Sequence, residues 1–216
     1  MTRLEQGIQH MQEGQWEEAA KLFTEEIEEN PKNPIGYVNF ANLLDAIGDD
    51  ERAILFYKRA LELDDKLATA YYGLGNLYYQ QERYQEAKAM FEQAMKSGLE
   101  TGDVHFMLGF SYVQLGNDRL ALPYLQRATE LNEEDVEAIF QYGLCLARLE
   151  LVKEAKPLFE RVLELDDTHA DAYYNLGVVY VFEDNGEKAL ELFKKAVAHQ
   201  PDHMLAGNGI RLLEEE

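Results

Sequence analysis

Residues 68–101 read ATAYYGLGNLYYQQERYQEAKAMFEQAMKSGLET, and residues 170–203 read ADAYYNLGVVYVFEDNGEKALELFKKAVAHQPDH. The two segments share one ladder of residues: Tyr71, Leu74, Gly75, Tyr78, Ala87, Phe91 and Ala94 in the first, Tyr173, Leu176, Gly177, Tyr180, Ala189, Phe193 and Ala196 in the second. They lie three 34-residue steps apart, and the steps between and outside them keep the same phase. Alanine stands at 19, 53, 87, 121, 155 and 189, and glycine at 7, 75, 109, 143 and 177, with Ala41 in the slot left open. A fixed period of this length marks a stacked repeat architecture, in which a single unit cannot bury its apolar face and neighbouring units do so together. Taking residue 34 as position 1, the units run 1–33, 34–67, 68–101, 102–135, 136–169 and 170–203, one continuous array, followed by a closing helix at 204–216.

Within each unit the apolar spacing predicts helix A over about positions 2–14 and helix B over about positions 17–30. Turn residues stand where such a pair must reverse. Gly14, Gly48 and Gly116 end helix A with a residue that tolerates positive φ, and Asp184-Asn185-Gly186 is expected to do the same with its glycine displaced. Asn33-Pro34 reads as an N-cap followed by proline at the first helical position. Pro123 and Pro157 fall early in helix B and predict a mild bend. A mid-helix glycine costs about 1 kcal/mol relative to alanine, so the recurring glycine at position 8 implies close helix packing. The expected contact is the alanine at position 20.

The pattern resembles the tetratricopeptide repeat (TPR) across residues 1–203. The departures are mild: position 32 carries Asp65, Leu99, Glu133 and Asp167 where the family favours proline, and Arg3 and Gln6 weaken the first helix A. The resemblance implies an all-α fold, an α-α superhelix of six helix-turn-helix units with residues 204–216 as a solvating cap. It also implies a concave groove lined by helix-A positions 2, 5, 6, 9, 12 and 13, which takes partner proteins or extended peptides. In this sequence those slots hold Val38, Asn39, Asn42, Asp45, Tyr72, Asn76, Tyr79, Phe106, Met107, Phe110, Val113, Phe140, Gln141, Leu144, Arg148, Tyr174, Asn175 and Val178. Aromatic and methionine side chains adapt to partners, and amides offer a donor and an acceptor to a peptide backbone. Asp103, Glu137 and Asp171 share position 2 and form an acidic rim. The family's carboxylate clamp for acidic tails needs Lys and Arg in the groove; positions 2, 5, 6 and 9 have neither, and Arg148 is the lone basic candidate.

Composition narrows the partners. Lys and Arg number 20 against 41 Asp and Glu, a net charge of −21, which disfavours nucleic-acid phosphates and anionic membrane surfaces. The expected partner is apolar with nearby basic residues, and the chain itself a monomer or weak homo-oligomer. The N-terminus carries no apolar stretch of signal-peptide length, and with the lone Cys145 this points to a cytoplasmic protein.

No catalytic, cofactor or metal motif stands out. His199, Asp202 and His203 are split by Pro201 and read as turn residues, His105 and Cys145 as core, and the pairs Asp64-Asp65 and Asp166-Asp167 as caps for the helices that follow. The function expected is a non-enzymatic adaptor or assembly mediator. Its rivals are a self-associating structural protein using the same apolar wall and, behind it, a small-ligand sensor or enzyme.

Overall fold

The computed structural model describes residues 1–215. Thirteen helices and no strand make up these residues: α1 (Arg3–Gln12), α2 (Trp16–Glu29), α3 (Pro34–Ala46), α4 (Asp50–Leu63), α5 (Ala68–Gln80), α6 (Tyr84–Lys96), α7 (Gly102–Gln114), α8 (Asp118–Leu131), α9 (Val136–Arg148), α10 (Val152–Leu165), α11 (Ala170–Phe182), α12 (Gly186–His199) and α13 (Met204–Glu215). From α3 onward the A helices start at position 1, and all B helices start at position 17, so the ruler locates the helices to within a residue or so of the sequence reading. Glu216, the last residue of the expected closing helix, lies outside the described residues. The chain forms two compact units, residues 1–111 and 112–216.

Local chemistry sets the helix ends. The Thr2 hydroxyl accepts from the Glu5 N–H while the Glu5 carboxylate accepts from the Thr2 N–H, a reciprocal capping box. Asn33 Oδ1 accepts from the Ile35 N–H, with Pro34 at the first helical position. Position 15 is left-handed in every unit: Gly14, Gly48 and Gly116 have φ of 72°, 77° and 72°, and Glu82, Glu150 and Asp184 have φ of 59°, 63° and 57°. Asp184 therefore makes the reversal itself, and the glycine at 186 opens the next helix. A left-handed residue with a Cβ costs roughly 1–2 kcal/mol. Glu82→Gly is expected to stabilise the protein by about 0.5–1 kcal/mol, after the extra chain entropy of glycine is deducted; a thermal melt that moves down would contradict it.

Two of the expected caps act differently. Asp64 and Asp166 end α4 and α10, and their Oδ1 atoms accept from the Lys66 and Thr168 N–H groups, closing the turns. The N-caps of the following helices are Leu67 and His169, so the paired aspartates do not cap them. Pro123 and Pro157 each sit sixth in an unbroken helix.

The packing contact at position 8 also differs from the expectation. A Cβ on Gly75 would stand 2.6 Å from the Phe91 ring, one on Gly177 2.6 Å from Phe193, and one on Gly143 2.9 Å from Phe159. The glycine faces first the aromatic ring at position 24; the expected alanine at position 20 comes close at Gly177, where the Ala189 carbonyl oxygen would lie 3.4 Å from a Cβ. Helical side chains lean toward the N-terminus, so the ring covers the surface one turn before its own Cα. Phe23, Phe91 and Phe159 are fully buried as a result. The tyrosines at position 4 tie helix A back to the preceding turn: Tyr37 and Tyr71 donate to the Pro31 and Asp65 carbonyls, each at 3.1 Å. Cys145 is buried, and its thiol, 3.2 Å from the Asp118 carbonyl, is pushed up by burial to about 11, which keeps it protonated at neutral pH.

Candidate functional site

The A-helix slots expected to line a groove divide into side chains already engaged and side chains left open. Val38 and Phe140 are buried, which departs from their expected place on an open wall. Phe140 packs 6.0 Å from Phe159 and 4.5 Å from His169. Tyr72 and Tyr174, also at position 5, share this habit, because a ring at position 24 lies beneath each: Tyr72 leans on Phe91 at 5.8 Å and Tyr174 on Phe193 at 5.6 Å. Leu144 and Val178 are half-buried against core clusters, and Val113 is half-buried.

Several polar slots are committed internally. Asn39 and Asn175 donate to the carbonyls of Ile35 and Asp171, one turn back on their own helices. Gln141 donates to Glu137 at 2.9 Å, and Arg148 pairs with Asp118 at 3.3 Å. Asp171 takes the His203 ring at 3.1 Å, while the other ring nitrogen of His203 accepts from the Ala206 N–H. His105 is buried with Nε2 3.0 Å from Glu100, and His199 stacks flat on Tyr173. Of the expected acidic rim, Asp103 borders a cavity, Glu137 accepts from Gln141 on its own helix, and Asp171 meets the His203 ring ahead of α13.

What remains open in the first compact unit, residues 1–111, converges. A cavity of about 450 Å³ is walled by α3, α5 and the start of α7. Val38 and Tyr57 form apolar wall, and Asn42, Asp45, Tyr72, Asn76 and Asp103 supply the polar groups, with Thr69, Gly73, Leu99 and Thr101 completing it. Asn42 Oδ1 accepts from the Tyr57 hydroxyl. Asn76 Oδ1 is buried with no hydrogen-bond partner among the described residues. Burial, then repulsion from Asp50, raises the Asp45 carboxyl above the usual range. Burial also raises the Tyr72 phenol, with the Asn76 amide opposing. No cation lines this space, so carboxylates and amide oxygens face it unneutralised. Beside it, Tyr84, Tyr79, Phe110 and Phe106 form a chain of rings at 5.2, 5.6 and 5.4 Å, with half-buried Met107 alongside.

The sequence reading missed the walls contributed from outside its slots. Tyr57 was legible only as core, and Leu99, Thr69 and Thr101 carried no signal beyond adjacency to the turn.

Family models described as tetratricopeptide repeat or TPR repeat match residues 6–35, 41–82, 67–134, 106–166 and 150–208. A solved structure of YrrB, described as a TPR protein with an unusual peptide-binding site, is 54% identical with a TM-score of 0.85, covering 89% of this chain and 99% of that one. The chain belongs to the tetratricopeptide repeat family. A curated relative, the TPR repeat-containing protein YrrB of Bacillus subtilis (strain 168), is 54% identical over 41 residues, 19% of this TPR chain; that match spans only 20% of the relative's length. A structure of MamA (21% identical, TM-score 0.73, 79% of this chain and 93% of that one) and one of Pseudomonas aeruginosa pilF (18%, 0.82, 99% and 96%) share the TPR fold. The fold is thus all-α, of the α-α superhelix class. Among the described residues no helix is long and apolar enough to cross a membrane, and no group of three or more His, Cys, Asp or Glu could hold a metal ion.

Proposed function

We propose that this TPR protein is a protein-interaction module that takes an extended segment of a partner protein along its A helices, acting as an adaptor and not as an enzyme. The observation that carries the reading is the first-unit cavity, whose polar lining is dominated by acceptors. Asp45, Asp103 and the unpartnered Asn76 Oδ1 suit a guanidinium or ammonium group, and the Tyr79–Phe110–Phe106 rings offer apolar contact beside it. The partner segment is therefore apolar with a basic side chain. The peptide-binding site in the description of YrrB supports the same class of function.

A nonapeptide of alanine and leucine with one central arginine is the probe. Its affinity for the full chain is expected to fall about tenfold on Asp45→Asn or Asp103→Asn, and to fall with added salt. It should also fall with pH as Asp45 protonates, beginning above the usual carboxylate range because the carboxyl is raised. The same raised pKa means ionised Asp45 weighs against folding at neutral pH. Asp45→Asn should therefore raise the melting temperature there, with the gain fading below the ordinary aspartate pKa. Binding by isothermal titration that ignores both substitutions and salt would sink the reading.

A further inference from the structure

The second compact unit, which begins at residue 112, holds a cavity of different chemistry. Its volume is about 430 Å³, within the range of ligand pockets. Phe159 and Val179, both buried, form the floor; Ala147, Val152 and Val178 form the walls; Phe182 stands at the mouth. These residues come from α9, α10 and α11. The same ruler slots are polar in the first-unit cavity: position 12 is Asp45 there and Ala147 here, and position 9 is Asn42 there and Val178 here.

Two features point to a partner at this hollow. Phe182 is 74% exposed and its neighbour Val181 46% exposed, so a large aromatic side chain is held in water at the rim, and burying such a group is favourable. The second feature is Glu150, the one charged residue in the lining, which has no ion-pair partner among the described residues. It stands at φ 63°, in the slot where Gly14, Gly48 and Gly116 take the same backbone shape without strain and where Glu82 and Asp184 also place a carboxylate. Asn175 completes the rim; its Nδ2 is spent on the Asp171 carbonyl, so its oxygen is the group left to meet a backbone N–H.

We propose that this cavity receives a large apolar side chain, phenylalanine or leucine, of a partner peptide segment, with an adjacent lysine or arginine of that segment paired to Glu150. The inference rests on the reading of the A helices as a peptide-binding face and adds a second, chemically distinct anchor to it. The occupant is a foreign segment and not a second copy, because a net charge of −21 opposes self-association.

The test uses the full chain, with the pentapeptide Ser-Lys-Phe-Lys-Ser, blocked at both ends, as probe. Binding is followed by calorimetry and by the methyl resonances of Val152, Val178 and Val179. The peptide should shift those methyls, and its analogue with alanine for phenylalanine should bind at least about tenfold more weakly, since one buried aromatic carries the contact. Phe182→Ala, at an exposed site that leaves folding intact, should weaken binding several-fold. Glu150→Gly should raise the melting temperature yet weaken the lysine-flanked peptide about threefold. Equal binding of the alanine analogue, or unmoved valine methyls at saturation, overturns the proposal. So does saturation of the cavity by indole at the peptide's own affinity, which would make it a small-molecule site, or methyl shifts that appear on concentrating the protein alone, which would make the occupant a second copy. If the arginine nonapeptide binds and responds to Asp45→Asn while the phenylalanine pentapeptide does not bind, the first-unit reading stands and this one falls. The reverse pattern removes the first and keeps the second.

Discussion

Phe91→Ala is expected to destabilise the protein by about 3–5 kcal/mol, the usual cost of deleting a fully buried aromatic ring. Phe91 has no exposed surface, and it is pressed by Gly75 on one side and Tyr72 on another. The ring fills the space between Gly75 and α6, so its loss opens a hole that movement of the two helices closes only in part. A loss of that size is a large share of a domain's net stability. Chemical denaturation should show the midpoint falling steeply, and a variant within 1 kcal/mol of the parent would mean that the ring is not the keystone of this helix pair. The arginine nonapeptide should bind weakly to this variant below its melting point too, because Tyr72, a wall of the first-unit cavity, leans on the lost ring.

The same contact gives a second large effect from a single methyl group. Gly75→Ala places a Cβ 2.6 Å from Phe91, whose ring has no exposed side to retreat to. The expected cost is about 1–3 kcal/mol of overpacking strain, which exceeds the roughly 1 kcal/mol that alanine gains as a helix former. Gly207→Ala is the matched control. Gly207 is also helical, in α13, but a Cβ there meets nothing within 4 Å. This substitution is expected to raise stability by up to about 1 kcal/mol. Identical chemistry should thus act with opposite signs at two helical glycines. Calorimetric melts of the two variants decide it, and a shared sign would show that helix propensity, not the ring contact, governs position 8.

These cases show how far the sequence carried. The fold was legible because a 34-residue period repeats a steric requirement, a small residue in one slot and a large one in another, and a period survives local irregularity. The helix limits followed because glycines and Asn33-Pro34 mark reversals by backbone geometry alone. The partner of Gly75 was misjudged because slot numbers along helix B ignore the lean of side chains, which carries the ring at 91 back over the surface near Ala87. The candidate site was less legible. Asn39 and Asn76 are the same residue type on the same face, yet Asn39 bonds its own helix and Asn76 keeps a buried oxygen free. That difference is a rotamer choice, and spacing carries no record of it. Phe140 and Tyr72 likewise share position 5, but the His169 ring lies 4.5 Å from the first, which is buried, while the second borders a cavity.

The ring at Phe193 has a further meaning for the end of the described chain. Gly177 of α11 meets one edge of that ring and Gly209 of α13 another, each so close that a Cβ would come within 2.6 Å of it. A flat, incompressible plate held between two bare stretches of backbone acts as a rivet through three helices. Such a joint has no partly loosened state: α13 either stays seated or leaves the whole face of Phe193 to water. The last helix therefore belongs to the same cooperative block as α11 and α12, and its release would be a switch-like event instead of a gradual fraying.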